Sequence, residues 1–377
     1  MKKTGILLIA FILVGVGVWY ASREAPSETN EPTSTGPDSS ATSAPAEVPA
    51  REMVTVVATD LEIPWDIAFL PDGTMLVTER PGRLVHIEEN RSIEVDGVEH
   101  TGEGGLLGIA LHPNFEQNRY LYLYQTTRVG SGLENRVNRY VYRDNELVFD
   151  RVIVDGIAGA PYHDGGRIEF GPNGYLWIAT GDATSEADAQ SSQTFAGGIL
   201  RVTADGSTPE GNPFGNEVWS YGHRNPQGLA WDADGRLWSS EHGRSGLRSG
   251  MDEINLIEPG ANYGWPVIEG DEMQEGMTSP VAHSGPDVTW APASATYWDG
   301  SIFFGGLKGE AVYEAVLDED EVADIRRYFF GEFGRIRTTR IGPDGMMYIT
   351  TSNRDGRGEA GQGDDRIIRI DPEQVFR

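Results

Sequence analysis

From Val54 onward, apolar and polar residues alternate in short runs, and a turn tripeptide separates each run from the next. Ile67-Ala-Phe-Leu precedes Pro71-Asp-Gly, and Thr74-Met-Leu-Val follows. Ile109-Ala-Leu-His-Pro-Asn-Phe leads through a longer turn into Tyr120-Leu-Tyr-Leu-Tyr. The pattern returns in Ile168-Glu-Phe-Gly-Pro-Asn-Gly-Tyr-Leu-Trp-Ile, in Leu229-Ala-Trp-Asp-Ala-Asp-Gly-Arg-Leu-Trp and in Arg340-Ile-Gly-Pro-Asp-Gly-Met-Met-Tyr-Ile. Ala295-Thr-Tyr-Trp-Asp-Gly-Ser-Ile-Phe-Phe is a degenerate copy. A period of two predicts strands, and Asp-Gly or Asn-Gly predicts the tight turn between them. The copies are spaced by roughly forty to the mid-sixties of residues, which suits four-stranded blades with loop insertions. No long stretch carries a 3.6-residue apolar period. The expected fold is therefore all-β, a six-bladed β-propeller with four-stranded antiparallel blades over residues 51–377. A large β-sandwich would also use short strands, but it does not explain the repeat.

The N-terminus reads differently. Lys2 and Lys3 precede Gly5–Tyr20, an apolar run without charge. A positive flank before an apolar core directs export or anchoring. The run is short for a spanning helix, yet no small-x-small cleavage site follows it. Residues 1–22 are expected to form an uncleaved anchor, with a cleaved signal as the alternative. The remainder is then extracytoplasmic, in the periplasm or at the cell surface. Residues 23–50 are rich in Ser, Thr, Pro and Glu and offer almost nothing to a core, so they read as a tether.

Composition narrows the partners. Asp and Glu number 58 against 30 Lys and Arg, a net charge of −28 that excludes nucleic acid and anionic membrane surfaces as partners. Lysine occurs only at Lys2, Lys3 and Lys308. An acidic, lysine-poor surface suits a salty medium, where screening weakens self-repulsion; biased codon usage gives the same composition. With no cysteine there is no disulfide, thiolate metal site or cysteine nucleophile.

Candidate chemistry lies in loops beside the hairpins. His163 and Asp164 precede Gly165-Gly166 at the entry of the third hairpin. A histidine there is a candidate base, though taken alone it is more often a hydrogen-bonded loop residue. Other loops supply Arg224, Lys308, Arg335 and Arg337. Arg335 and Arg337 are two apart, so on a strand they face the same way and repel unless an anion lies between them. The set points to an anionic ligand with several carboxylates or phosphates. The competing reading pairs each Arg with a surface carboxylate.

In register, Gly222-His-Arg-Asn-Pro-Gln-Gly, Asp252-Glu-Ile-Asn-Leu-Ile, Ala261-Asn-Tyr-Gly-Trp-Pro and Gly334-Arg-Ile-Arg carry a resemblance. They are similar to segments of the soluble pyrroloquinoline quinone (PQQ)-dependent sugar dehydrogenases, above all the aldose sugar dehydrogenase branch. The likeness runs from about Ile63 to Asp371 and implies a six-bladed propeller. It implies aldose oxidation at C1 to the lactone, with PQQ and Ca²⁺ as cofactors and an external electron acceptor. Lys308, Arg335 and Arg337 match the residues that bind PQQ, and Arg224 and Asn225 match the pair at the quinone oxygens. His163 matches the general base that takes the C1 hydroxyl proton while the hydride passes to the quinone. Gly243 and Arg244 match positions that hold calcium through carbonyls, and Glu253 and Tyr263 match further calcium positions. Such a protein is expected as a monomer or dimer.

Three positions depart from that pattern. Glu103 stands where the family usually has Gln, which sets a carboxylate beside a tricarboxylate cofactor. Arg244 stands where Pro is usual, and the insertion Ser245–Met251 follows it. Asp164, a candidate cofactor contact, varies among relatives. Two other functions use the same features: a non-catalytic propeller module with a decayed cofactor site, and a calcium-dependent lactonase-type hydrolase. The hydrolase needs no cluster of four basic residues.

Overall fold

The computed structural model describes residues 53–246 and 249–377. The anchor expected over residues 1–22 and the tether expected over 23–50 lie outside the described residues, as does part of the Ser245–Met251 insertion. Among the described residues, no helix is long and apolar enough to cross a membrane.

All six hairpins read from the sequence form. Pro64–Phe69 pairs with Met75–Glu79, Leu106–Leu111 with Tyr120–Val129, and Ile168–Phe170 with Leu176–Thr180. Pro226–Trp231 pairs with Leu237–Glu241, Thr296–Trp298 with Ser301–Gly306, and Ile336–Ile341 with Met347–Thr351. Two further strands complete each hairpin into a four-stranded antiparallel sheet, and the six sheets are the blades of a six-bladed propeller. The last blade takes its outermost strand from the other end of the chain: Val54–Ala58 pairs with Ile367–Ile370.

The turn residues do what their chemistry dictates. Gly73, Gly174, Gly235 and Gly345 have φ of 89°, 77°, 78° and 76°. Around the last three there is open space where a Cβ would stand, so it is backbone handedness rather than crowding that selects glycine. Each donates its N–H to the carbonyl three residues back, at 2.8–3.0 Å. The second hairpin needs a longer connection and holds the short helix Phe115–Asn118, ended by Arg119 at φ 59°.

The second strand of most hairpins is buried throughout, as in Met75–Glu79, Leu176–Thr180 and Leu237–Glu241. The core is divided among six clusters, one between each pair of neighbouring blades. Leu76 and Leu84 of the first blade meet Leu106, Ile109 and Leu121 of the second, for example. Each such side chain contributes about 1.5–3 kcal/mol by leaving water. A blade is apolar on both faces, so only the closed ring buries them all.

This topology also fixes where chemistry can sit. The Asp-Gly turns all mark one end of the ring. The loops entering the innermost strands and leaving the second strands therefore share the opposite end. Glu103, His163, Arg224 and Arg335 lie just before innermost strands; Arg80, Asp182, His242, Lys308 and Asp355 lie just after second strands.

Candidate active site

His163 sits in the loop that enters Ile168–Phe170, with its backbone in the left-handed region at φ 61°. That conformation costs a non-glycine residue about 1–3 kcal/mol and persists only where neighbours fix it. Here they do. Its N–H donates to Glu103 Oε2 at 3.0 Å, and its carbonyl accepts from Ala183 N–H at 3.1 Å. Gly181 passes so close that a Cβ would fall 1.8 Å from the His163 carbonyl oxygen. Gly165 N–H donates to Asn225 Oδ1 at 2.9 Å, which ties this loop to the next blade.

The His163 ring has a partner on each nitrogen. Nδ1 lies 2.7 Å from Asp182 Oδ1. The fully buried Asp182 carboxylate also accepts from Thr184 N–H at 2.7 Å and Trp265 Nε1–H at 2.8 Å. A carboxylate on Nδ1 keeps the proton there and leaves Nε2 as the acceptor. Arg224 Nη2 donates to Nε2 at 2.8 Å and to Ser245 Oγ at 2.8 Å. Its guanidinium lies 5.2 Å over Trp265, and its main-chain N–H is held by the Glu241 carboxylate. The imidazole is 15% exposed, so its Nε2 edge can be reached.

The chain neighbour of His163, Tyr162, lines a cavity of about 200 Å³ together with Arg80, Glu103, Gln227, His242, Arg337, Asp355 and Arg357. Three arginines face two carboxylates there, a positive surplus in a chain of net charge −28. Arg335 is fully engaged: Nε and Nη2 reach Asp355 Oδ2 at 3.0 and 2.8 Å, and Nη1 reaches the Leu307 carbonyl at 3.0 Å. The anion between Arg335 and Arg337 is thus the chain's own Asp355. Arg337 is held less well, by Gln227 Oε1 at 3.3 Å and Ser352 Oγ at 3.4 Å, with Asp355 4.0 Å away. Burial, aided by Arg80 and Arg335, pulls its pKa down to about 9. Burial also lowers Arg80, whose Nε donates to His100 Nε2 at 3.2 Å.

Glu103 spans the cavity edge. Oε1 accepts from Arg357 Nη1 at 2.8 Å while Oε2 holds the His163 N–H. Burial opposes its ionisation, but His242, Arg357 and that N–H hold its pKa down to about 2. Burial pushes His242 down to about 3, so the imidazole is neutral at neutral pH and Arg357 and the N–H are what act on Glu103 there. His242 Nε2 and Arg224 Nε are buried with no hydrogen-bond partner among the described residues.

Other expected residues are placed as follows. Lys308 follows the cavity-lining Leu307, with its side chain exposed. Asp164 serves as a strut: Oδ1 accepts from Asn135 Nδ2 at 2.9 Å and Ala160 N–H at 3.1 Å, Oδ2 has no partner, and burial raises its pKa to about 7. Gly243, Arg244 and Glu253 line a neighbouring void of about 10 Å³ with Glu241 and Glu269, room for one water-sized particle. Arg244 Nη1 contacts Glu269 Oε2 at 2.7 Å, and its carbonyl accepts from Gly250 N–H at 3.4 Å. Burial and then Glu241 push the Glu253 carboxyl well up. The Tyr263 hydroxyl is bonded to Leu256 O and Glu258 N–H, and its ring stacks on His223 at 4.6 Å, so Tyr263 supports this wall by packing. Among the described residues, no three His, Asp or Glu side chains converge as a metal-binding group.

Asp182, His242, Arg80, Asp355 and Arg357 were not singled out from the sequence. The repeat held a signal for several of them. Seven or eight residues past the turn glycine, the chain returns to the active mouth: Arg80 after Gly73, Asp182 after Gly174, His242 after Gly235 and Lys308 after Gly300.

Comparisons with known proteins give the chain its family. The PQQ-bound aldose sugar dehydrogenase of Streptomyces coelicolor superposes with a TM-score of 0.77 at 40% identity, covering 84% of this chain and 97% of that one. The soluble aldose sugar dehydrogenase of Escherichia coli, solved in its apo form, gives 0.75 at 31% identity, over 85% and 99%. In sequence, aldose sugar dehydrogenase YliI of Escherichia coli is 33% identical over 82% of this chain and 92% of its own. Residues 61–368 match the family model for glucose/sorbosone dehydrogenases, and the chain belongs to that family.

Proposed function

We propose that this protein oxidises aldose sugars at C1 to lactones, with PQQ as redox cofactor, calcium beside it and an external electron acceptor. The observation that carries the reading is His163 Nε2, kept as an acceptor by Asp182, on a residue whose chain neighbour Tyr162 and main-chain partner Glu103 line a cavity with surplus positive charge. The donors present suit a tricarboxylate: among the described residues, Arg337 has no carboxylate closer than 4.0 Å, and His242 Nε2 and Arg224 Nε have no hydrogen-bond partner. Arg337, inside the cavity, would hold a carboxylate, Lys308 beside the cavity-lining Leu307 would be the second such cation, and Arg335 would keep Asp355 in place. PQQ, when bound, supplies the ortho-quinone that accepts the C1 hydride.

The chain's own groups do the rest. His163 Nε2 takes the proton of the C1 hydroxyl, which replaces Arg224 Nη2 as its partner. Asp182 holds the Nδ1 proton and stabilises the imidazolium. Arg224 would direct positive charge to the quinone oxygens. Asn225 spends its Oδ1 on Gly165 N–H, which leaves its amide N–H groups as donors there. For calcium, Gly243, Arg244, Glu241 and Glu253 around the small void would supply oxygen donors of the kind a hard cation takes, with Glu253 giving up the proton that burial favours. Residues 1–22 would anchor the domain outside the cytoplasm.

The test is to load apo protein with PQQ, with Ca²⁺ or with chelator, and follow aldose-dependent reduction of an artificial acceptor dye. Turnover that needs both is expected. PQQ binding without turnover on any aldose would favour the non-catalytic module, and lactone hydrolysis without PQQ would favour the hydrolase.

A further inference from the structure

Glu103 creates a difficulty that the fold answers. A glutamine at this position could accept from the His163 N–H and still present an N–H₂ donor to the cavity. A carboxylate accepts only, and Glu103 is ionised beside a site meant for carboxylates. Arg357 lies against it, and the two ends of that contact are fixed independently. At one end, Glu103 Oε2 is held by the His163 N–H at 3.0 Å. At the other, the Arg357 main-chain N–H donates to Asp355 Oδ1 at 2.9 Å, while Asp355 Oδ2 holds Arg335. The Arg357 guanidinium stands 5.7 Å over the Tyr162 ring. Only Nη1 is used, on Glu103 at 2.8 Å. The other guanidinium N–H groups have no partner among the described residues, and the side chain is 52% exposed at the cavity.

We propose that Glu103 and Arg357 act as one cofactor-positioning unit, in which Glu103 orients Arg357 and Arg357 supplies the N–H donors to a cofactor carboxylate that a glutamine at position 103 would supply itself. The inference rests on the PQQ reading and assigns it a residue from a blade far along the chain. A guanidinium keeps several donors in a rigid fork, so it can hold Glu103 with one and a second carboxylate with others. Glu103 also cancels charge that would otherwise crowd Arg80, Arg337 and Arg357 together.

The experiment is a double-mutant cycle read by equilibrium PQQ titration of apo protein, followed by quenching of tryptophan fluorescence. Arg357→Gln should weaken PQQ binding by about tenfold to a hundredfold, the range for a charge-assisted hydrogen bond. Glu103→Gln should leave affinity within about threefold, and in that background Arg357→Gln should cost about threefold or less. Apo melting should fall only slightly on Arg357→Gln, since the amide can still donate to Glu103 Oε1, and a loss of affinity far larger than that fall separates ligand contact from folding. Unchanged affinity on Arg357→Gln alone, or an equal loss in both backgrounds, overturns the unit while leaving the cofactor assignment standing. Wild-type protein that fails to bind PQQ at all overturns both.

Discussion

Nδ1 of His163 and Oδ1 of Asp182 lie 2.7 Å apart, with the carboxylate fully buried and fixed from its other side by Trp265. The pair fixes which imidazole nitrogen is basic. His163→Gln should lower turnover by about a hundredfold or more with PQQ affinity kept, the usual weight of a positioned base. Asp182→Asn should also lower turnover, because an amide has no charge to stabilise the imidazolium and can accept from Nδ1–H and Thr184 N–H only by turning its N–H₂ toward Trp265 Nε1–H. Steady-state kinetics with a PQQ titration checks both. Near wild-type turnover in either variant would move the base elsewhere.

Arg335 and Arg337 look alike in sequence and differ in their bonds. Arg335 makes two contacts to Asp355 and one to the Leu307 carbonyl, all at 3.0 Å or less. Arg335→Met should therefore destabilise the apo protein by about 3–5 kcal/mol, the loss expected when a buried pair is broken. Arg337 has no contact shorter than 3.3 Å and is crowded by Arg80 and Arg335. Arg337→Met should leave apo melting unchanged or raised, and weaken PQQ binding by about tenfold or more. Both are read by apo melting and PQQ titration on one preparation. A destabilised Arg337→Met with unchanged affinity would remove Arg337 from the cofactor site.

The ring was legible because its unit, the apolar hairpin with a glycine turn, is local and recurs. His163 and Arg224 stand in loops that enter innermost strands and Arg337 is the second residue of one, so the hairpin pattern alone brings all three to one mouth. The arginine pair was half legible: two facing guanidiniums require an anion, but Asp355 comes from a separate loop after Met347–Thr351, and spacing alone gives no sign of it. Asp164 was misleading for a related reason. The ring of its neighbour His163 lies between Asp182 and Arg224, yet the positive φ at His163 turns the chain so that Asp164 points to Asn135. Ring closure by Val54–Ala58 is likewise a contact between distant segments with no local signature.

Asp164 gives a pH dependence of unusual sign. Burial raises its folded pKa to about 7 from the ordinary 3.8, so between those values the folded state holds a proton that the unfolded state has lost. Stability from this group is therefore full at low pH and falls as pH rises toward 7, by up to about 1.4 kcal/mol per pH unit. Asp164→Asn keeps an acceptor for Asn135 and Ala160 without the charge. Its melting temperature relative to wild type should rise between pH 5 and pH 8. A difference that stays flat, or falls, over that range would show that Asp164 is ionised throughout.

The last prediction concerns the seam of the ring. Val54–Ala58 is the outer strand of the final blade, and Asp371 N–H donates to the Met53 carbonyl at 2.8 Å just beyond it. These contacts are made by residues 53–58, so deletion of residues 1–50 should leave a soluble domain with unchanged cooperative melting. Deleting residues 1–58 removes the strand and uncovers the edge of Ile367–Ile370. Val54 would no longer cover the cluster of Ile368, Ile370 and Phe376. An open edge flanked by exposed apolar residues invites pairing with another chain. The shorter protein should melt several degrees lower and associate in a concentration-dependent way. The next segment stays pinned, since Asp60 and Leu61 N–H donate to the Gly363 and Asp365 carbonyls, so the loss should weaken the last blade without unfolding the first. Calorimetry of the two truncations decides the point: equal melting would mean that the seam is held by side-chain packing between blades and that the strand adds nothing to closure.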